Sequence, residues 1–281
     1  MNFTKPLLKY VLTTAVAVLL SYSSFAGGFP VRQGRLLLSP SVSYFFANKE
    51  WDSVGVKKPF PKDGKFQSIE FSLAAEYGIS RRWAAVALVP YVINTFQQTG
   101  FKSTTTGFTD AETGLKYYLA NINYQYYFSL QGTAITPMYT NKNLGYEAEG
   151  AEFKIAFAGS GEMGSKNFYF NVEDGIRRYF GASGPLQDRY TGTFGLTLDR
   201  NFKNQLSVAV GGFYTYSSYK FFNRLNPSAT KNFAFNQVSL SYGHSFNHDI
   251  SIFLTAGQFI TGRNTGDGTS GQIGLAYRIG N

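Results

Sequence analysis

Few residues in this chain of 281 could do chemistry, and most of them are charged side chains set two or four apart. Asp110, Glu112 and Lys116 share one parity along one stretch, Glu152 and Lys154 share another, and Glu173 and Arg177 a third. Glu70 and Glu76 are matched in the same way, and Arg278 stands close to the last residue. The chemistry open to such rows is electrostatic, because an ionised group removed from bulk water needs a partner or a water-filled space. A row of opposite charges can line a polar path, or it can pin strands together as a paired network. Nucleophilic chemistry has less to work with. The two histidines, His244 and His248, bracket Ser245 and Asn247. Neighbours on a strand point to opposite faces, so this group does not assemble easily, and turn-forming polar residues are the better account. No register brings the acidic pairs Asp110/Glu112 or Glu173/Asp174 to a histidine. There is no HExxH, phosphate loop or dense carboxylate loop, and no cysteine for thiol catalysis, disulfides, Cys-ligated metal or an N-terminal lipid anchor. The expectation is a protein that is not an enzyme and uses no cofactor or metal.

The elements that must position these charges are strands. About twelve stretches alternate apolar and polar residues, at 36–48, 65–78, 82–94, 108–119, 123–136, 150–159, 166–179, 189–200, 204–217, 232–246, 249–260 and 269–280. The links between them alternate tight, as at Ile79-Ser80-Arg81, and long, as at 49–64, 95–107, 137–149 and 218–231. In Ser68 to Tyr77 the odd positions Ile69, Phe71, Leu73 and Tyr77 are apolar, so Glu70 and Glu76 face the other way. The same rule puts Leu206, Val208, Leu240, Leu254 and Ile273 outside and Gln205, Ser207, Gln237, Ser251, Gln272 and Arg278 inside. Trp83 to Val89 is apolar on both faces, which leaves its register open.

Lys5 and Lys9 precede an apolar run from Tyr10 to Leu20, and Ser24-Phe25-Ala26 supplies small residues for cleavage, so residues 1–26 read as a secretory signal peptide. The run is shorter than the roughly 20 residues a spanning helix needs. Only a closed barrel satisfies every backbone group of a strand protein inside lipid. The fold expected for residues 27–281 is therefore all-β: a transmembrane antiparallel up-and-down β-barrel of about 12 strands in a bacterial outer membrane. Tight turns would lie in the periplasm with both termini, and long loops outside. Residues 27–35 could form a short segment inside or below the lumen. Aromatics, 17% of the chain, would form girdles, with Tyr77, Trp83, Tyr124 and Tyr277 at one rim and Trp51, Tyr91, Tyr139, Tyr179 and Tyr216 at the other.

Gly107-Phe108-Thr109-Asp110-Ala111-Glu112-Thr113-Gly114-Leu115-Lys116-Tyr117-Tyr118-Leu119 resembles the G-x-x-D-x-x-x-G-x-K-Y strand of outer-membrane transporters of the "MetA-pathway of phenol degradation" family. Glu76-Tyr77-Gly78, followed by Val89-Pro90-Tyr91, is similar to that family's tyrosine-glycine turn and valine-proline-tyrosine strand. The resemblance spans about residues 65–135 and implies a porin-like barrel that passes small, often hydrophobic molecules. One departure is the end of the chain, Tyr277-Arg278-Ile279-Gly280-Asn281, which lacks the terminal aromatic that barrel-assembly machinery reads in many barrels.

Without Lys5 and Lys9 the chain holds 24 basic and 17 acidic residues, a charge of +7 with no dense basic run, so nucleic acid is not an expected partner. Lys57, Lys58, Lys62, Lys102, Lys142, Lys220, Arg224, Lys231 and Arg263 fall in the loops, where contact with lipopolysaccharide phosphates is the plainest account. The function expected is passive passage of small, hydrophobic or aromatic molecules through the outer membrane. Glu70, Glu76, Asp110, Glu112, Lys116, Glu152, Lys154, Glu173, Arg177 and Arg278 are the candidate lumen residues. Two other readings stay open: a non-conducting surface barrel serving adhesion or polysaccharide export, and an outer-membrane hydrolase using His244 or His248.

Overall fold

The computed structural model describes residues 28–181, 183–199, 201–223 and 230–280. The signal peptide expected over 1–26 and the loop residue Arg224 lie outside the described residues. The strands are β1 (Leu36–Trp51), β2 (Lys57–Pro59), β3 (Lys65–Gly78), β4 (Trp83–Gln98), β5 (Phe101–Phe108), β6 (Asp110–Ile122), β7 (Tyr126–Pro137), β8 (Gly150–Met163), β9 (Lys166–Tyr179), β10 (Leu186–Thr197), β11 (Asn204–Tyr216), β12 (Ala234–Ser245), β13 (Ile250–Arg263) and β14 (Thr265–Ile279). Each long strand pairs antiparallel with the next, and β14 returns to β1, from Leu36 opposite Ile279 to Trp51 opposite Thr265. The result is a closed 12-stranded transmembrane barrel, because β2 is a short addition to β1 and β5 prolongs β6 along β4. Closure leaves no unpaired edge, the condition for strands in lipid.

Alternation decides the faces. Phe71, Leu73, Tyr77, Leu206, Leu240, Leu254 and Ile273 stand exposed on the outer surface, while Ser207, Gln237, Ser239 and Ser251 are buried within. So broad an apolar exterior suits lipid. β4 resolves its register with Ala84, Val86, Val92, Asn94 and Phe96 inward and Trp83 outward. Both chain ends of the barrel, Leu36 and Ile279, lie at the end that carries the tight turns. There Asn123 and Tyr124 adopt positive φ of 53° and 56° between β6 and β7, as a two-residue hairpin turn demands. The Ser80 hydroxyl accepts from the amides of Arg82 and Trp83 to close the β3–β4 turn. Tyr77, Trp83, Tyr124 and Tyr277 are all exposed at this rim, and the Trp83 ring packs 4.7 Å from Tyr117.

Three features of the opposite, loop-bearing end differ from the sequence expectation. Residues 95–107 are not a loop: β4 runs to Gln98 and β5 returns from Phe101, driven by β-branched Thr104, Thr105 and Thr106 and by Gly100 at φ 75°. β13 and β14 likewise meet across Asn264 alone, at φ 49°. Finally, Trp51 and Tyr179 are buried rather than part of an outer girdle, because both point into the lumen, and the Tyr139 hydroxyl turns to the Glu147 amide.

A bulge sets the face of β6. Tyr91 pairs with Phe108, but Leu88 pairs with Glu112, so one extra residue enters the strand at Thr109–Ala111. Pro90 lies opposite, where it has no N–H to lend the ladder, and its carbonyl accepts from the Thr109 amide at 3.1 Å. Odd residues face inward in β5; after the bulge, even ones do. Val-Pro-Tyr and Gly-Phe-Thr-Asp, distant in sequence, together turn Asp110, Glu112 and Lys116 into the barrel.

Candidate functional site

The lumen is the candidate site, and its walls differ. From β6 to β10, joined by Glu76 of β3, the inner surface is ionic. Near the tight turns Lys116 Nζ lies 2.9 Å from a Glu76 carboxylate oxygen, and the Tyr118 hydroxyl donates to the other at 2.7 Å. Farther along, Lys154 meets Glu173 at 3.3 Å, and Asn171 donates to Glu173 at 2.8 Å. Next, Arg177 bridges Glu112 and Glu152, while Arg189 reaches Glu152 at 2.8 Å and Glu112 at 3.5 Å. The ladder ends where the Tyr179 hydroxyl donates to Asp110 at 2.8 Å. Strand pairing explains these meetings: Glu152 lies directly opposite Arg177, and Lys154 opposite Gly175. A Cβ at Gly175 would stand 2.9 Å from a Glu152 oxygen, so glycine leaves the room these side chains occupy.

The second wall is aromatic. Phe233, Phe235, Phe259 and Trp51 form a buried cluster at the loop end of β11–β13, with half-buried Phe213 packed against it. Phe235 and Phe259 lie 4.1 Å apart and nearly parallel at 9°. Phe45 continues the column from Phe259 at 5.1 Å to Phe66 at 6.1 Å, and Phe60 and Phe96 close it. The walls touch where the Arg189 guanidinium lies 4.8 Å over the Phe213 ring. The loop 138–149 reaches inward between them, with Tyr146 buried, its ring 4.7 Å from Tyr179 and its hydroxyl donating to the Thr230 carbonyl. Burial and the nearby Asp110 carboxylate push the phenols of Tyr139 and Tyr146 up, so both stay protonated.

At the turn end, residues 28–35 fold into the barrel. The Gly28 amide donates to the Asn171 side chain at 2.8 Å, the Phe29 carbonyl accepts from Tyr118, and the Gly34 amide donates to the Gly78 carbonyl. A Cβ at Gly78 would fall 2.1 Å from the Arg32 carbonyl, so only glycine lets this segment lie there. Between the segment and strands β9–β14 is a cavity of about 490 Å³.

Eight of the ten sequence-derived candidates, Glu76, Asp110, Glu112, Lys116, Glu152, Lys154, Glu173 and Arg177, thus fall on the ionic wall. Glu70 faces inward but joins no ion pair among the described residues, and Arg278 stands at the turn-end mouth, donating to the His248 carbonyl. Sequence reasoning missed Arg189 and the whole aromatic column. Parity held the signal, since Phe213 shares the parity of Gln205 and Ser207, and Phe66 that of Glu70. His244 bonds Asn204 at 2.8 Å while Ser245 bonds Ser251 at 2.9 Å, so the two do not meet. Among the described residues no three acidic or histidine side chains are placed to hold a metal. Of the loop cations, Lys57 pairs with Asp267 at 2.7 Å and Lys58 with Asp52 at 3.5 Å.

No protein-family model matches the chain, and no curated protein is similar to it in sequence. Solved structures are similar in fold. An outer membrane channel from Pseudomonas putida F1 superposes with a TM-score of 0.68 at 10% identity, over 92% of this chain and all of the other. The NanC porin matches with a TM-score of 0.50 at 10% identity, over 86% of this chain and 100% of its own. The translocator domain of the autotransporter NalP from Neisseria meningitidis gives 0.50 at 11% identity, over 89% and 90%. This chain therefore has the fold of bacterial outer-membrane barrels, a fold that carries channels and translocators alike.

Proposed function

We propose that the mature chain is an outer-membrane channel for passive passage of small molecules, hydrophobic and aromatic ones among them. The observation that carries this reading is the two-sided lumen: a column of stacked rings faces a ladder of paired charges, so a solute with a flat apolar body and a polar group finds a surface for each. Channels and porins among the fold neighbours support it, as does the resemblance of Gly107–Leu119 to transporters of hydrophobic compounds. Tight turns then face the periplasm, and the loop-end lysines face lipopolysaccharide.

Lining of the path by Asp110, Glu112 and Lys116 can be tested without background, because the chain has no cysteine. Asp110→Cys, Glu112→Cys and Lys116→Cys, with the uncharged Thr133→Cys on β7 as a variant that keeps every ion pair, are exposed to a water-soluble thiol reagent in folded protein. Modification at these sites is expected. Resistance at all four would rule out a water path along this wall.

A further inference from the structure

The turn-end cavity carries more than the channel reading uses. Its charge is one-sided. Arg32, Arg35 and Arg278 line it, and none has an ion-pair partner among the described residues. The single carboxylate in the lining, Glu76, is already committed to Lys116 and Tyr118. Register brings two of the cations together: on β14 Arg278 lies opposite Leu37, two residues after Arg35, which immediately precedes β1. Both arginines line the cavity, Arg35 half-buried and Arg278 at its exposed mouth, where one guanidinium nitrogen also donates to the His248 carbonyl. The Arg35 Nε is buried and has no hydrogen-bond partner, although a guanidinium presents its donors in a fork suited to a carboxylate. The rest of the lining is different in kind. Phe29 and Phe253 supply apolar surface, and Ser207 and Ser241 supply hydroxyls. A volume of about 490 Å³ is the size of a small-ligand pocket.

We infer that this cavity is a binding site for a small carboxylate with an apolar body, its anion held by Arg35 and Arg278 and its body set against Phe29 and Phe253. The inference rests on the lumen being reached by solutes, and it adds a stopping place with a preferred charge. Like charges brought side by side repel, and a bound anion relieves that repulsion while satisfying the orphaned Arg35 nitrogen. Because Phe29 and Arg32 belong to the inward-folded N-terminal segment, the site exists only while that segment is docked on Asn171 and Tyr118.

Calorimetric titration of the folded mature chain in detergent tests this without requiring conduction. The probes are benzoate, acetate and benzyl alcohol. Benzoate is expected to bind about tenfold or more tightly than either acetate, which lacks the body, or benzyl alcohol, which lacks the charge. Arg35→Gln and Arg278→Gln, with folding checked by heat-modifiable gel mobility, are each expected to weaken benzoate about tenfold and leave benzyl alcohol unchanged. Arg32→Gln, at the exposed mouth, serves if the other variants fail to fold, with an expected loss of about threefold from weaker steering and attraction. Equal affinity for benzoate and benzyl alcohol, or benzoate affinity untouched by these substitutions, overturns the site. A chain that binds benzoate in this pattern yet never conducts refutes the channel and leaves the site standing; one that conducts and ignores benzoate does the reverse.

Discussion

The ionic wall and the aromatic wall of the same lumen are stabilised in opposite ways. On β6–β10 the inward charges depend on particular partners: Arg177 joins Glu112 to Glu152, the first largely and the second fully buried. Removing one member leaves another uncompensated, so the wall is brittle to single changes but tolerant of concerted ones. On β11–β14 and β1 the rings depend on area and stacking, which no single partner owns, so loss scales with the size of the void. A specific lattice of charges opposite an adaptable apolar column gives a lumen that is selective on one side and permissive on the other.

Changes that empty or unpair each wall should separate these two kinds of stability, read by urea unfolding of the reconstituted barrel. Phe235→Ala removes the ring at the centre of the column, between Phe213 at 5.3 Å and Phe259 at 4.1 Å. It is expected to cost about 4 kcal/mol, the scale of a buried Phe→Ala change. Arg177→Met strands Glu112 and Glu152, but Arg189 remains 2.8 Å from Glu152, so the loss should fall at the low end for a broken buried pair, about 3 kcal/mol. Adding Glu112→Gln to Arg177→Met leaves Glu152 paired with Arg189 and should bring stability back to within about 1 kcal/mol of the parent. A double variant no better than the single would mean that the charges act separately rather than as a network.

Glu70 sharpens the contrast further. It faces the lumen with no ion partner among the described residues, so Glu70→Gln removes an uncompensated charge and should leave the barrel as stable as the parent or more so, by up to about 1 kcal/mol. The same change should shift the reversal potential of any conducting pore toward anions, because an unpaired carboxylate is the charge a passing ion senses. The smallest effect is expected outside the membrane. The amides of Val56 and Val54 hold Asp52 below the ordinary carboxylate value of 3.8. Since its pKa falls on folding, its contribution to the 52–64 loop is complete above that value and is lost as pH drops through the depressed one. Pepsin nicking of this loop, taken relative to cleavage of an unfolded control peptide at the same pH, should therefore stay flat from pH 5 to about 4 and rise below it. Asp52→Asn should be nicked faster than the parent above about pH 4, and the difference should close as pH falls through the depressed value.

Period-two spacing made the barrel and the ionic wall legible in the sequence, because a charge has few places to go on a strand and parity names the face. Partners across strands, such as Glu76 with Lys116, were less legible, since they depend on register rather than on spacing. Bulges limited the reading most. The Thr109 bulge switches parity between β5 and β6, and the register shift between Ala47 and Lys49 comes just before Trp51, which turns into the lumen. An apolar residue near a strand end was equally compatible with a lipid girdle and a lumen stack, so the aromatic column stayed hidden until closure placed β14 beside β1.

Single-channel recording of the refolded mature chain in planar bilayers, under a salt gradient, tests the central claim most directly. Discrete openings are expected, with a reversal potential that Glu70→Gln moves toward anions. Lasting silence from demonstrably folded protein, with Phe235→Ala equally silent, would contradict a channel and leave a closed barrel in its place.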